Sequence, residues 1–156
     1  MLGSKDLIQR ALLVNQYLVF SVCSVLQEAV SDAIETARKE SYFKELAKLY
    51  NSKRSLLMDS LSKANLRPIA PHGTFFILAD TSSIKKFHHI NTSQPRDFEF
   101  ARWLTKEIKV AAIPASAFYD SSSPGKQIPH NFARFCFCKQ DHVLEEAGRR
   151  LEKLSS

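Results

Sequence analysis

Arg134 is the one charged residue in Asn131-Phe132-Ala133-Arg134-Phe135-Cys136-Phe137-Cys138, a run in which six of eight residues are apolar or cysteine. The run reads as a buried strand, with turn signals before it and a helix start after it. Alternation puts Phe132, Arg134, Cys136 and Cys138 on one face and Ala133, Phe135 and Phe137 on the other. A guanidinium keeps its proton in proteins, so burying one without an anion is costly. Two readings follow. Arg134 either reaches water or pairs with a structural carboxylate such as Asp80, or its fork of donors is held for a ligand carboxylate through two parallel hydrogen bonds.

The other residue sets carry less chemistry. Cys136-x-Cys138 followed by His142 has metal-ligand residue types, but no partner pair accompanies it and the cysteines lie in an apolar strand. Buried thiols are the expectation there, and no metal site is assigned. Three cysteines without framework spacing fit a reducing compartment. A cytoplasmic setting is expected, with a mitochondrial one open for the full-length protein.

The formal charge of +6 arises from scattered residues, and the tightest groups are Lys53-Arg54, Lys85-Lys86 and Arg149-Arg150. No aromatics interleave with them, so they read as solvated helix faces and no nucleic-acid partner is expected. Near the N-terminus, Lys5 and Arg10 precede Ala11-Leu12-Leu13-Val14, and Leu18 to Leu26 is again mostly apolar, the outline of a signal peptide. Asn15-Gln16 interrupt the apolar stretch, no cleavage site is evident, and the runs are too short to span a bilayer. Two buried helical pieces are expected instead, and no membrane partner. Without a secretory route, Asn91-Thr92-Ser93 has no meaning as a glycosylation acceptor.

The elements that must position Arg134 follow from periodicity. The chain has 156 residues, 44% of them hydrophobic and 24% charged, enough for one domain with a core. Its 11 phenylalanines suggest that aromatics fill this core. A helix is expected from Lys5 to about Val14, with Ser4 as its cap and Asp6 in its first turn. Ser24 would cap a second, from Val25 to about Arg38, with Leu26, Ala29, Val30, Ala33 and Ile34 on one stripe. Ser41 begins a long third helix, about Tyr42 to Ala64, which Asn65 stops.

From Leu66 the texture changes. Arg67-Pro68-Ile69-Ala70-Pro71 is extended, because each proline biases its predecessor away from helix. Gly73 opens a strand, Thr74 to Asp80, and a polar loop follows to Pro95. A helix over Asp97 to Ile108, a strand over Val110 to Pro114 and a flexible tip at 121–125 precede the Arg134 strand. Asp141 would cap a last helix to Leu154, with Val143, Leu144, Ala147 and Leu151 facing in. Helices thus fill 1–64, and strands and helices alternate over 66–156: a helical part followed by a small α/β sandwich.

Three segments, in order, resemble one family. Pro71-His72-Gly73-Thr74-Phe75-Phe76 is similar to the P-x-G-[ST]-[FY]-F strand start of aminotransferases with the aspartate aminotransferase fold. Ala112-Ile113-Pro114-Ala115-Ser116-Ala117-Phe118-Tyr119 resembles the A-I-P-x-S-x-F segment of their kynurenine aminotransferase branch, and Ala133-Arg134-Phe135-Cys136-Phe137 its R-F-C-F strand. That branch includes glutamine transaminase K and cysteine-conjugate β-lyase. Val14 to Val30, with Gln16, Val19-Phe20 and Gln27, is similar to a helix-loop-helix earlier in the same family. The resemblance covers nearly the whole chain. Each motif is weak alone, and the ordered set is specific.

The resemblance implies the C-terminal part of a fold-type I, pyridoxal-phosphate-dependent aminotransferase. The end of the large domain would occupy 1–40, an interdomain helix 41–64 and the small α/β domain 65–156. Amino acids and 2-oxo acids would be its substrates, and a homodimer the complete assembly. Arg134 matches the arginine that grips the substrate's α-carboxylate. Phe20 and Ser21 match positions that reach into the neighbouring subunit's site, although as residues Phe20 could equally be core and Ser21 a turn or cap. In the family the cofactor lysine lies upstream of a G-W-x-x-G stretch, which precedes the segment that Gly3-Ser4-Lys5-Asp6-Leu7-Ile8 resembles. By this resemblance the lysine falls outside these residues, and so do the ring-stacking aromatic, the aspartate of the pyridine nitrogen and the phosphate loop. Lys5, at a helix start, is not its counterpart. No catalytic or cofactor-binding residue is therefore assigned, and this chain alone should be inactive. The alternative is a non-catalytic truncated module that binds a carboxylate ligand or a full-length subunit.

Overall fold

The computed structural model describes residues 3–87, 93–119 and 130–155. The tip expected at 121–125 and the Asn91-Thr92 part of the acceptor pattern lie outside them. The chain divides into two compact units, Met1–Glu45 and Leu46–Ser156.

The first unit carries α1 (Lys5–Leu18) and α2 (Ser24–Lys39). Helix α1 runs a turn beyond the expected Val14, because Asn15 and Gln16 cost little in a helix that Leu18 can still close. Neither expected cap is made: Ser4 stands at the N-cap of α1 without a side-chain bond, and Cys23, not Ser24, precedes α2. The expectation of two buried helices also fails. No residue of either helix is buried, and Tyr17, Leu18 and Val25 are each at least three-quarters exposed. Periodicity decides which face of a helix is apolar, not whether anything covers it.

Leu12, Leu13, Val25, Leu26 and Val30 of the two helices are each more than half exposed, and exposed apolar patches mark association surfaces. The full chain should therefore self-associate, and deleting residues 1–40 should restore a monomer. Size-exclusion chromatography with a hydrophobic dye checks this; a monodisperse, dye-negative full-length chain would contradict it.

The second unit begins within α3 (Tyr42–Lys63), whose last residues close on Asn65 in the left-handed conformation, φ 60°. The Leu66 amide donates to Leu61 O and the Asn65 amide to Ser62 O, satisfying the final carbonyls as the asparagine stop requires. Four antiparallel strands follow: β1 (Arg67–Ile69), β2 (Phe76–Asp80), β3 (Ile113–Pro114) and β4 (Phe132–Cys136), in spatial order β1-β2-β4-β3. Strand β2 starts two residues later than expected. Thr74 turns the backbone with φ 68°, a conformation in which a β-branched residue cannot join a ladder. Strand β3 keeps only two of its five expected residues.

Alternation sorts the sheet into two faces. Ile77, Ala79, Ala133 and Phe135 point into a core shared with Leu57 and Leu61 of α3, and with Leu151 of α5 (Asp141–Leu151). Phe100 of α4 (Arg96–Trp103) joins them, followed by Leu104 and Ile108 of a π-helical turn, Leu104–Ile108, where a continuous α-helix had been expected. Phe100, Leu104 and Ile108, spaced by four, all face the core. Gln140 precedes α5, and Asp141 takes an ion pair from Lys53 at 2.6 Å instead of acting as cap. Val143 is 42% exposed rather than inward. Lys53 and Arg54 are also not merely solvated: Arg54 Nη1 donates to Pro71 O at 3.1 Å, tying α3 to the segment before β2.

Gly148 of α5 faces α3 so closely that an added Cβ would lie 2.7 Å from Ser60 Oγ and 3.2 Å from its Cβ. Gly148→Ala gains about 1 kcal/mol of helix propensity but overpacks a tight contact, at roughly 1–3 kcal/mol. The expected result is a net loss of about 1 kcal/mol, read by thermal unfolding. In a Ser60→Ala background the same substitution should become neutral or stabilising; a loss of equal size in both backgrounds would contradict the contact.

Candidate functional site

The outer face of the sheet carries the residues that alternate with Ile77, Ala79, Ala133 and Phe135. Register aligns Ile69, Leu78, Arg134 and Ile113 in one row across all four strands. The three aliphatic members are each about 40–50% exposed, and the only cation in the row is Arg134. A cleft of about 530 Å³ opens on this face, walled by Ile69, Phe76, Leu78, Phe118, Phe132 and Arg134 among others. That volume falls in the range of small-ligand sites, roughly 300–1,000 Å³.

The arginine lies between two aromatic side chains of this cleft. Its Cζ lies 4.0 Å from the centroid of the Phe76 ring and 4.1 Å from that of Phe118, a guanidinium between two aromatic rings. Its Nε is buried and has no hydrogen-bond partner among the described residues. Among the described residues no carboxylate pairs with it: Asp80 sits opposite Phe132 in the ladder and accepts instead from the Ser82 amide at 2.8 Å. An unpartnered donor of this kind costs about 1–3 kcal/mol, and more on a charged group. Arg96 shows the contrast. It donates to Thr81 Oγ1 at 2.8 Å and Thr81 O at 3.2 Å, and burial lowers its pKa against the opposing pull of Asp80 and Asp97. One arginine is satisfied internally, and the other is not.

Phe118 ends a 3₁₀ turn, Ala115–Phe118, that follows β3. The turn is pinned by Asp97, which is 1% exposed. Its Oδ2 accepts from the Ser116 amide at 2.7 Å and its Oδ1 from Ser116 Oγ at 2.9 Å, with His130 Nδ1 3.6 Å away. Sequence reasoning assigned no role to Phe76, Phe118 or Asp97. Phe76 was legible once β2 and β4 were paired, because it lies diagonal to Arg134 across the ladder. Phe118 stood inside a quoted motif, whereas nothing local marked Asp97.

Phe20 and Ser21 belong to the first unit, in the link between α1 and α2, and both are exposed, Phe20 at 85%. Plain core packing of Phe20 is thereby removed. Every wall of the Arg134 cleft belongs to the second unit. The cysteines depart from the buried-thiol expectation: Cys136 is half-buried on the open face, while Cys23 and Cys138 are exposed. Cys138 lies beyond the end of β4, where its Sγ is 3.3 Å from Tyr50 Oη. Among the described residues no three potential metal ligands cluster, and no helix is long and apolar enough to cross a membrane.

Residues 1–151 match the sequence profile of the aminotransferase class I and II family. The chain belongs to that family. It is 42% identical to the kynurenine–oxoglutarate transaminase of Dictyostelium discoideum over 165 residues, covering 98% of this chain and 37% of that protein. It is 37% identical to kynurenine–oxoglutarate transaminase 3 of Mus musculus, over 94% of this chain and 33% of the relative. Among solved structures, the methionine aminotransferase YbdL of Escherichia coli superposes with a TM-score of 0.72 at 34% identity, over 89% of this chain and 32% of that one. The chain thus spans about a third of the length of the relatives it matches. The sequence resemblance to the kynurenine branch and the expected α/β, fold-type I class are borne out.

Members of the family use pyridoxal phosphate. The Arg134 cleft does not fit that group. Its walls present one guanidinium and otherwise apolar or hydroxyl side chains, with no lysine amine to bond the aldehyde and no glycine-rich cradle for a phosphate.

Proposed function

We propose that these residues are the C-terminal part of a kynurenine- or glutamine-type aminotransferase, in which Arg134 grips the α-carboxylate of amino-acid and 2-oxo-acid substrates. The observation that carries this reading is the buried, unpartnered Nε of a guanidinium held between Phe76 and Phe118 at an apolar cleft. Two parallel hydrogen bonds from the fork fix a carboxylate in position and in plane, which leaves the adjoining carbon one defined orientation. The two rings flank the guanidinium and its Nε is buried, so an ion pair there is less screened than one in bulk water. Pyridoxal phosphate supplies the electron sink in the complete enzyme.

In the same reading, 1–40 closes the large domain, 41–64 links the domains and 65–156 is the small domain. Exposed Phe20 and Ser21 would reach the neighbouring subunit's site in a homodimer, in the cytoplasm. The test is a chimera in which this chain replaces the corresponding third of the Dictyostelium transaminase. Turnover of kynurenine with 2-oxoglutarate supports the reading. A folded, cofactor-loaded chimera without turnover rejects it and favours a module that only binds a carboxylate or a full-length subunit.

A further inference from the structure

We infer that Asp97 is a positioning residue for the carboxylate grip: through Ser116 it fixes the turn that holds Phe118 over the Arg134 guanidinium. The inference rests on the carboxylate-binding reading of Arg134. Phe118 is 58% exposed, so its ring gains little from burial and must be held in place by the turn that carries it. That turn has two anchors. Ile113 and Pro114 before it pair with Arg134 and Ala133 of β4, and Ser116 within it donates both its amide and its hydroxyl to the buried Asp97 carboxylate.

A carboxylate accepting two hydrogen bonds from one residue fixes that residue's backbone and its χ1 together. Asp97 lies in the first turn of α4, so the helix carries the restraint to the turn, and the turn to the ring. His130 Nδ1 lies 3.6 Å from the carboxylate, and the Arg96 guanidinium also interacts with it electrostatically. Without the restraint Phe118 can leave the guanidinium, and Arg134 loses one of the two rings that orient it. The grip would then pay for its own ordering each time a carboxylate binds.

The experiment is side-chain ¹⁵N–¹H NMR on the full 156-residue chain, with the Arg134 Nε–H signal assigned by its loss in Arg134→Lys. Two flanking rings should displace this signal upfield of exposed arginines. In Asp97→Ala the displacement should fall by more than half. Acetate, titrated against chloride at equal ionic strength, should bind roughly 2- to 12-fold more weakly, the cost of ordering one side chain. Asp97→Asn, which keeps an acceptor for the Ser116 amide, should recover part of both. Ser116→Ala, which loses only the hydroxyl bond, should show the same changes at smaller size and serves if Asp97→Ala does not fold. A lowered melting temperature with an unchanged Nε–H signal and unchanged acetate affinity would overturn the inference, since a merely structural aspartate gives that pattern. If the Asp97 variants move the signal but acetate moves it in no variant, the carboxylate reading of Arg134 fails and Asp97 holds the stack alone.

Discussion

Arg134→Ala in the complete enzyme, or in the active chimera, is expected to lower kcat/KM by roughly 30- to several-thousand-fold. The range follows from losing one partner of a desolvated charge pair, about 2–5 kcal/mol. The loss should be of similar size for every amino acid and 2-oxo acid tested, because all share the carboxylate and differ elsewhere. Arg134→Lys should recover only part of it. An ammonium cannot reproduce the planar fork, nor lie flat between the Phe76 and Phe118 rings as the guanidinium does. Removing the guanidinium also deletes two cation–π contacts, so some fall in melting temperature accompanies the kinetic loss. The two effects separate cleanly. If Arg134 is structural, the variant melts earlier and whatever remains folded turns over normally, and that outcome would remove it from the site.

The second large effect is an absence. The isolated 156-residue chain, given pyridoxal phosphate, kynurenine and 2-oxoglutarate, should form product no faster than a blank. The reason lies in the cleft: its single cation is a guanidinium, which does not form the covalent bond that a lysine amine forms with a cofactor aldehyde. Borohydride reduction should accordingly leave cofactor scattered sub-stoichiometrically over surface lysines. Mass spectrometry of the reduced protein checks this. One lysine labelled to completion, together with turnover, would show that the chain carries its own catalytic centre and would overturn the reading of a substrate-side fragment.

What the sequence determined by itself was local and periodic. The strand around Arg134, its inward face of Ala133, Phe135 and Phe137, the helix α3 and its stop at Asn65 all follow from side-chain alternation, helical spacing and the tolerance of asparagine for positive φ. The ordered motifs identified the family before any fold was known. Local pattern failed where long-range packing overrides it: the expected caps at Ser24 and Asp141, the buried face of α2 and the straight helix through Leu104. A cap or a covered face depends on what arrives from elsewhere in the chain, which no short window contains.

Only the tertiary structure separated Arg134 from Asp80, the partner the sequence had offered it. The sequence offered Asp80 as partner, and it is the register of β2 on β4 that sets Asp80 against Phe132 and Phe76 diagonal to the guanidinium. The second ring arrives from residue 118 and the carboxylate that pins it from residue 97, each brought in by a separate element. Their convergence on one side chain is a property of strand pairing and helix packing. That the Arg134 Nε is buried without a partner among the described residues is likewise visible only in three dimensions, because potential partners come from distant parts of the chain.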